Sequence, residues 1–328
     1  MEKKIKIGLY GANGHQIHKK LINHKNAEIS AVCKMDKSIF TDENGYTTEN
    51  IKFYDTLEEM LSDDSIDLIS LCSPRRENQA KDAILCLNAK KHVYAEKPAA
   101  LTMDELDAIL DAAEKNDCCF HEFADTVFCE PYWSLRKIVL SGKLGEVVQI
   151  YVQKSYPLRA ETRPQDETTD GGLIRWVGIH AIRFIEHITG IKVKDVKVFQ
   201  THKGNIDENS GLYTASSWAM KLENGGVASA CVNYLNPKGG FGKWGNESVR
   251  IFGTEGMAEI TDGGRHSHIY TLTEDLGEIN CENSDCEDFL DMYIENLLGK
   301  RPMTLSLEDE LHPLKTVIKA FDCVVSDD

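Results

Sequence analysis

Four short clusters in this 328-residue chain carry residue types that could hold a ligand or move a proton. The first is Gly8-Leu9-Tyr10-Gly11-Ala12-Asn13-Gly14-His15-Gln16, directly after an apolar run of strand length. A turn between a strand and a helix favours phosphate, because backbone N–H groups and the helix dipole face the ligand there. Laid from Gly11, the dinucleotide fingerprint G-x-G-x-x-G meets Asn13 and Gln16 where glycines belong. Gly11 suits the tight turn, and Asn13 tolerates left-handed backbone angles better than most residues. Gln16 fits less well, since close helix–strand packing wants no side chain there.

The second cluster, Val32-Cys33-Lys34-Met35-Asp36, lies about 20 residues on, where an acidic residue would bind a ribose 2′-hydroxyl. Lys34 holds that place, and a cation suits a 2′-phosphate, which tilts the expected cofactor from NAD toward NADP. An ordinary surface lysine is the alternative. The third cluster pairs two strand ends, Ser73-Pro74-Arg75-Arg76-Glu77-Asn78 and Glu96-Lys97-Pro98. Ligands collect at such ends in open α/β sheets. The fourth is Asp170-Gly171-Gly172 followed by Arg175, Trp176, Gly178 and His180. Arg159, Arg163, Arg175 and Arg183 surround it in sequence, and guanidinium groups bind oxyanions through paired hydrogen bonds. Lys154 and Tyr156 end a nearby strand. Each has a plainer reading: a packed core histidine, a packing tryptophan, surface ion pairs.

The elements that must position these residues fall into two rhythms. Up to about residue 122, the apolar runs 4–10, 27–33, 67–72, 92–96 and 117–123 alternate with helical patterns. Thr56-x-x-Glu59 and Thr102-x-x-Glu105 have capping-box spacing. This predicts a doubly wound parallel sheet over residues 1–122. Residues 123–328 read as an α+β domain with a large, open, mostly antiparallel sheet. It begins with a helix over 131–145, followed by one over 171–190 closed by Gly190. Strands then follow without intervening helices, with a hairpin turn at Asn224-Gly225, and helices start near Ser284 and Ser306.

Composition excludes several classes. Lys+Arg number 37 and Asp+Glu 53, so the net charge is −16. The acid excess argues against nucleic acid as a partner. The ten cysteines include no Cys-x-x-Cys pair, which points to reduced thiols in a cytoplasm rather than to metal or disulfides. No apolar run reaches the ~18–20 residues of a membrane span, and the first residues read as a strand and turn rather than a signal peptide.

With the hairpin Ile251-Phe252-Gly253-Thr254-Glu255-Gly256, these clusters in this order resemble the Gfo/Idh/MocA oxidoreductase family over essentially the whole chain. The Glu96-Lys97-Pro98 tripeptide is the most specific mark. The resemblance implies a Rossmann domain for NAD(P), with Gly11, Asn13, Gly14, His15, Gln16, Lys34, Ser73, Pro74, Arg75, Asn78, Glu96 and Lys97 near the cofactor. It implies catalysis by Lys97 and His180, and the residue types around them add substrate contacts from Lys97, Lys154, Arg163, Arg175, Trp176 and His180. It also implies a homodimer or homotetramer formed through the C-terminal sheet.

Such residues fit hydride chemistry on a secondary alcohol, whose proton needs a base titrating near the working pH. The expected substrate is carbohydrate-like (a sugar, polyol or sugar acid), and an anionic group on it would suit the arginines. The chain also departs from the family. The family's catalytic aspartate falls at Trp176, a second acidic position falls at Arg183, and S/T-P-N-x-x-H becomes Ser73-Pro74-Arg75-Arg76-Glu77-Asn78. These departures keep a non-catalytic NAD(P)-binding sensor open as the alternative to a dehydrogenase. A transient oxidation that drives elimination is a third possibility.

Overall fold

The computed structural model describes residues 4–157, 163–205, 211–237 and 246–325. Two compact units emerge. The first holds the chain up to Phe123 together with Thr168–Asp170 and Phe289–Leu307; the second holds Ala124–Glu167, Gly171–Asp288 and the chain from Glu308.

In the first unit six strands, β1 (Ile5–Tyr10), β2 (Ala27–Cys33), β3 (Lys52–Tyr54), β4 (Leu68–Leu71), β5 (His92–Ala95) and β6 (Phe120–Glu122), form one sheet in the order β3-β2-β1-β4-β5-β6. All pairings are parallel. The strand order reverses between β1 and β4, which opens a crevice at their C-terminal ends. The expected parallel sheet is therefore present, with one strand more than the apolar runs predict. That extra strand, β3, is a mostly exposed Lys-Phe-Tyr edge that carries no apolar run.

Helices α1 (Leu57–Leu61), α2 (Gln79–Asn88) and α3 (Met103–Lys115) connect the strands, and both predicted capping boxes form. The helix expected after the first turn does not. Residues Ile17–Leu21 make only a 3-10 turn in which Ile17 and Leu21 alone are buried. That leaves too narrow an apolar stripe to hold a longer helix on the sheet, and Asn23 at φ 55° follows directly.

The second unit opens with α4 (Tyr132–Leu140), shorter than the predicted 131–145 helix, and strand β7 (Val147–Pro157). A π-helical turn, Leu173–Val177, leads into α5 (Gly178–Thr189), which is buried along its whole length. Gly178 makes that approach possible, because a Cβ there would lie 2.7 Å from the Trp218 ring. The remaining strands are β8 (Val193–Thr201), β9 (Ala215–Leu222), β10 (Val227–Asn236), β11 (Asn246–Gly253), β12 (Gly256–Thr261), β13 (His266–Thr271), β14 (Asp275–Gly277) and β15 (Val324–Val325). They complete a nine-stranded sheet in the order β14-β13-β12-β11-β7-β10-β9-β8-β15. Only β7–β10 and β8–β15 pair in parallel, so the sheet is largely antiparallel, as expected.

The chain then returns to the first unit with α6 (Phe289–Leu297), which starts later than predicted; Asp285, ahead of it, bonds Trp133 and Lys137. Tyr293 of α6 donates to the backbone oxygens of Val93 and Cys119 at 3.2 and 3.1 Å. The last helix, α7 (Leu307–Asp322), contains Pro313. Proline has no N–H for the carbonyl four residues back, here Asp309. His187 on α5 fills the gap, with Nε2 3.1 Å from that oxygen. Burial, reinforced by Arg183, lowers the His187 pKa to about 3, so the ring is a neutral donor. His187→Phe is expected to cost about 1–3 kcal/mol by leaving the carbonyl unpaired. Chemical denaturation checks this, and an unchanged midpoint would show that α7 needs no outside donor.

Candidate active site

The first turn is shaped as a cradle that admits no side chains. Gly11 and Gly14 have φ 71° and 117°. A Cβ on Gly11 would lie 2.0 Å from the Cys72 oxygen, and one on Gly14 2.6 Å from Glu96 Cδ. Asn13 acts differently from expectation, because it is not in the left-handed region. Its Nδ2 instead donates to the Thr169 and Pro74 oxygens at 2.6 and 3.3 Å, and its N–H to the Cys72 oxygen at 3.4 Å. Gln16, the awkward residue of the fingerprint, is inserted between the ends of β1 and β4. Its Oε1 accepts from Ser70 Oγ at 2.6 Å and from Ile17 N at 2.9 Å, while Nε2 donates to the Gly11 oxygen at 2.9 Å.

Glu96, at the end of β5, closes the turn from below. Its carboxylate accepts from His15 N at 3.0 Å and pairs with His15 Nδ1 at 3.0 Å, and the His15 ring stacks on Phe123. Burial alone would raise the Glu96 pKa, but the His15 charge and hydrogen bond, with Lys97 and Arg76, outweigh it and hold the carboxyl at about 2. Buried Gln79 fixes the two strand ends together, accepting from Ser73 N at 2.9 Å and donating to the Glu96 oxygen at 2.7 Å. Ser73 Oγ donates to Asp82 at 2.7 Å. Lys97 is fully buried.

The rest of the predicted cofactor set is exposed. Pro74 and Lys34 face solvent, Asn78 precedes α2 without capping it, and Arg75 pairs with Glu77 and with Thr168 Oγ1. Asp36 is committed to Ser38 N at 2.9 Å. Arg76, one residue further on, is buried and donates from Nη2 to the Asn13 oxygen at 2.7 Å. A turn closed to side chains, at the strand-order switch and backed by a buried guanidinium, fits a dinucleotide phosphate group. Gly11, Gly14 and Arg76 would hold it.

In the second unit His180 lies on α5, with Nδ1 2.9 Å from Thr126 Oγ1. A hydroxyl thus holds one side of the ring. Lys154 on β7 is buried and ion-paired with Glu247 on β11, which also accepts from Tyr132 Oη at 3.1 Å. Burial pulls the Lys154 ammonium down from the usual lysine range, against the pull of Asp125 and Cys129. Trp176 forms a wall instead of titrating. The Arg163 guanidinium sits 4.6 Å from its ring and 4.2 Å from that of Tyr234, with Tyr156 6.1 Å from Trp176.

Arg175 turns elsewhere, over Phe321 at 3.7 Å and onto the Gly171 oxygen at 3.1 Å. Arg183 is fully buried in α5. Arg159 lies outside the described residues. Gln79, Thr126 and Glu247 escaped the sequence reading. Glu247 is found only through strand register, which sets it opposite Lys154; Thr126 and Gln79 carry no motif.

This fold and these motifs define an NAD-binding Rossmann protein of an oxidoreductase family. The chain belongs to the Gfo/Idh/MocA family: residues 5–123 match its oxidoreductase family NAD-binding Rossmann fold, and residues 132–259 its C-terminal domain. Myo-inositol 2-dehydrogenase of Thermotoga maritima is 24% identical over 263 residues, 75% of this chain and 72% of that protein. A solved Thermotoga maritima structure, described as an oxidoreductase, superposes with a TM-score of 0.84 at 25% identity over 97% of both chains. The WlbA dehydrogenase of Bordetella pertussis, solved with NADH and UDP-GlcNAcA, shares the fold at a TM-score of 0.76 and 18% identity, covering 98% of this chain and 97% of that one. No helix among the described residues is long and apolar enough to cross a membrane.

Because the Glu96 pKa is lowered on folding, its contribution is present above the unfolded carboxyl value. It is lost as pH falls through about 4 to about 2. Glu96→Gln is expected to flatten that acid limb by roughly 3 kcal/mol, measured by denaturation at a series of pH values. An acid limb identical to wild type would refute the charge pairing.

Proposed function

We propose that this protein transfers a hydride between NAD(P) and a secondary hydroxyl of a sugar, polyol or sugar acid. The observation that carries this is Lys97, a fully buried lysine at the end of β5 directly after buried Glu96, in the tripeptide that marks the family. When bound, the nicotinamide supplies the hydride acceptor or donor. The chain's own residues handle the proton and the substrate's orientation. Lys97 hydrogen-bonds the reacting hydroxyl and stabilises charge on its oxygen. Held through Nδ1 by Thr126, His180 takes the hydroxyl proton on Nε2.

Trp176 and Arg163 offer a sugar an aromatic wall and a carboxylate partner, and Lys154 adds a further polar contact. The inositol dehydrogenase relative supports a polyol, and the UDP-sugar acid held by WlbA supports a sugar acid. The first unit binds the cofactor and the second holds the substrate. Exposed Lys34 favours NADP over NAD. Phe199, Val227, Leu235 and Phe252 on the exposed face of the large sheet support self-association through that face. Trp176 in the place of the family aspartate favours the second possibility, a protein that binds cofactor without turnover.

Titration with NADPH and NADH, followed by a turnover screen against sugars, inositols and uronates, separates the two. We expect turnover, with Lys97→Ala and His180→Ala each lowering kcat by about 10²-fold or more and Thr126→Val by about tenfold. Lys34→Ala is expected to narrow the NADPH preference. Cofactor binding without turnover on any of these substrates would establish the sensor instead.

A further inference from the structure

Arg76 has no part in the proton chemistry above, yet its surroundings ask for a ligand. The side chain is 1% exposed, and Nη2 is committed to the Asn13 oxygen. Among the described residues, Nε and Nη1 have no hydrogen-bond partner. A buried guanidinium with half its fork unmatched is costly unless an acceptor completes it. Glu96 balances its charge through space, but both Glu96 oxygens are engaged by His15.

The first turn has the complementary deficit. Its shape excludes side chains, but four of its donors are used internally: Gly11 N on the Cys33 oxygen, Asn13 N on the Cys72 oxygen, His15 N on Glu96 and Ile17 N on Gln16. The five-residue 3-10 turn that follows is too short to offer the dipole of a full helix. A diphosphate approaching Gly11–Gly14 therefore meets few backbone donors. The Arg76 guanidinium reaches the same turn through Nη2 on the Asn13 oxygen.

We propose that Arg76 is the buried ligand of the cofactor's pyrophosphate, with Nε and Nη1 donating to its oxygens while Nη2 holds the turn through Asn13. The inference rests on the NAD(P) reading above and adds to it the group that recognises the diphosphate. A planar fork suits phosphate oxygens better than a point charge does. One residue thus shapes the cradle and fills it.

The test is calorimetric titration of the full chain with NADH, ADP-ribose and adenosine, for wild type, Arg76→Met and Arg76→Lys. We expect Arg76→Met to weaken NADH and ADP-ribose by about 10- to 100-fold, with Arg76→Lys between. Adenosine, which lacks phosphate, should bind all three proteins alike. Wild-type NADH affinity in Arg76→Met would overturn the inference and leave the NAD(P) reading standing. Failure of wild type to bind NADH or NADPH would overturn both. If Arg76→Met does not fold, a crystal structure of wild type with ADP-ribose decides. Nε or Nη1 bonded to a phosphate oxygen supports the assignment; both atoms bonded to water or Glu96 instead overturns it.

Discussion

The ligand face of the first unit depends on one buried carboxylate. Glu96 comes up from the end of β5 and takes both the backbone N–H and the ring nitrogen of His15, so it fixes the first turn to the strand that carries Lys97. A buried charge is tolerated only when it is paired and hydrogen-bonded, and here the pairing partners belong to the site itself. Gln79 and Gln16 extend the same logic. They connect the ends of β4, β5 and β1 through side chains that a glycine-only fingerprint would not supply. The altered fingerprint is thus rebuilt with hydrogen bonds in place of bare close packing.

The second unit shows a parallel substitution. Where the family places an aspartate, Trp176 turns the position into an aromatic surface that receives Arg163. Orientation of His180 passes to Thr126. A hydroxyl holds an imidazole in place but does not stabilise its charged form as a carboxylate would. The buried pair Lys154–Glu247 keeps further titratable groups in this unit.

Much of the fold was legible in the sequence because it rests on local, repetitive signals. Short apolar runs, two capping boxes and an Asn-Gly hairpin specify the parallel sheet, its helices and the change to antiparallel strands. The misses have physical causes. β3 is a polar edge, β13 and β14 carry no strong apolar alternation, and the segment after the first turn has the glycines of a helix entry without the apolar stripe to continue it. At the candidate site, motif position singled out Lys97, His180 and the glycines. It could not show that Arg75 would face outward and Arg76 inward, nor that Asn13 would act through its side chain, since both depend on tertiary neighbours far away in sequence.

The central claim is that this chain moves a hydride at a carbohydrate carbon with Lys97 at the reacting hydroxyl. Its most direct test uses NADPH or NADH deuterated at the ring carbon that donates the hydride, a panel of keto-sugars and inositol ketones, and mass spectrometry of the products. The account predicts deuterium on the newly formed carbinol carbon with wild type, and labelling about 10²-fold slower with Lys97→Ala. Tight cofactor binding with no label transferred to any ketone would contradict it.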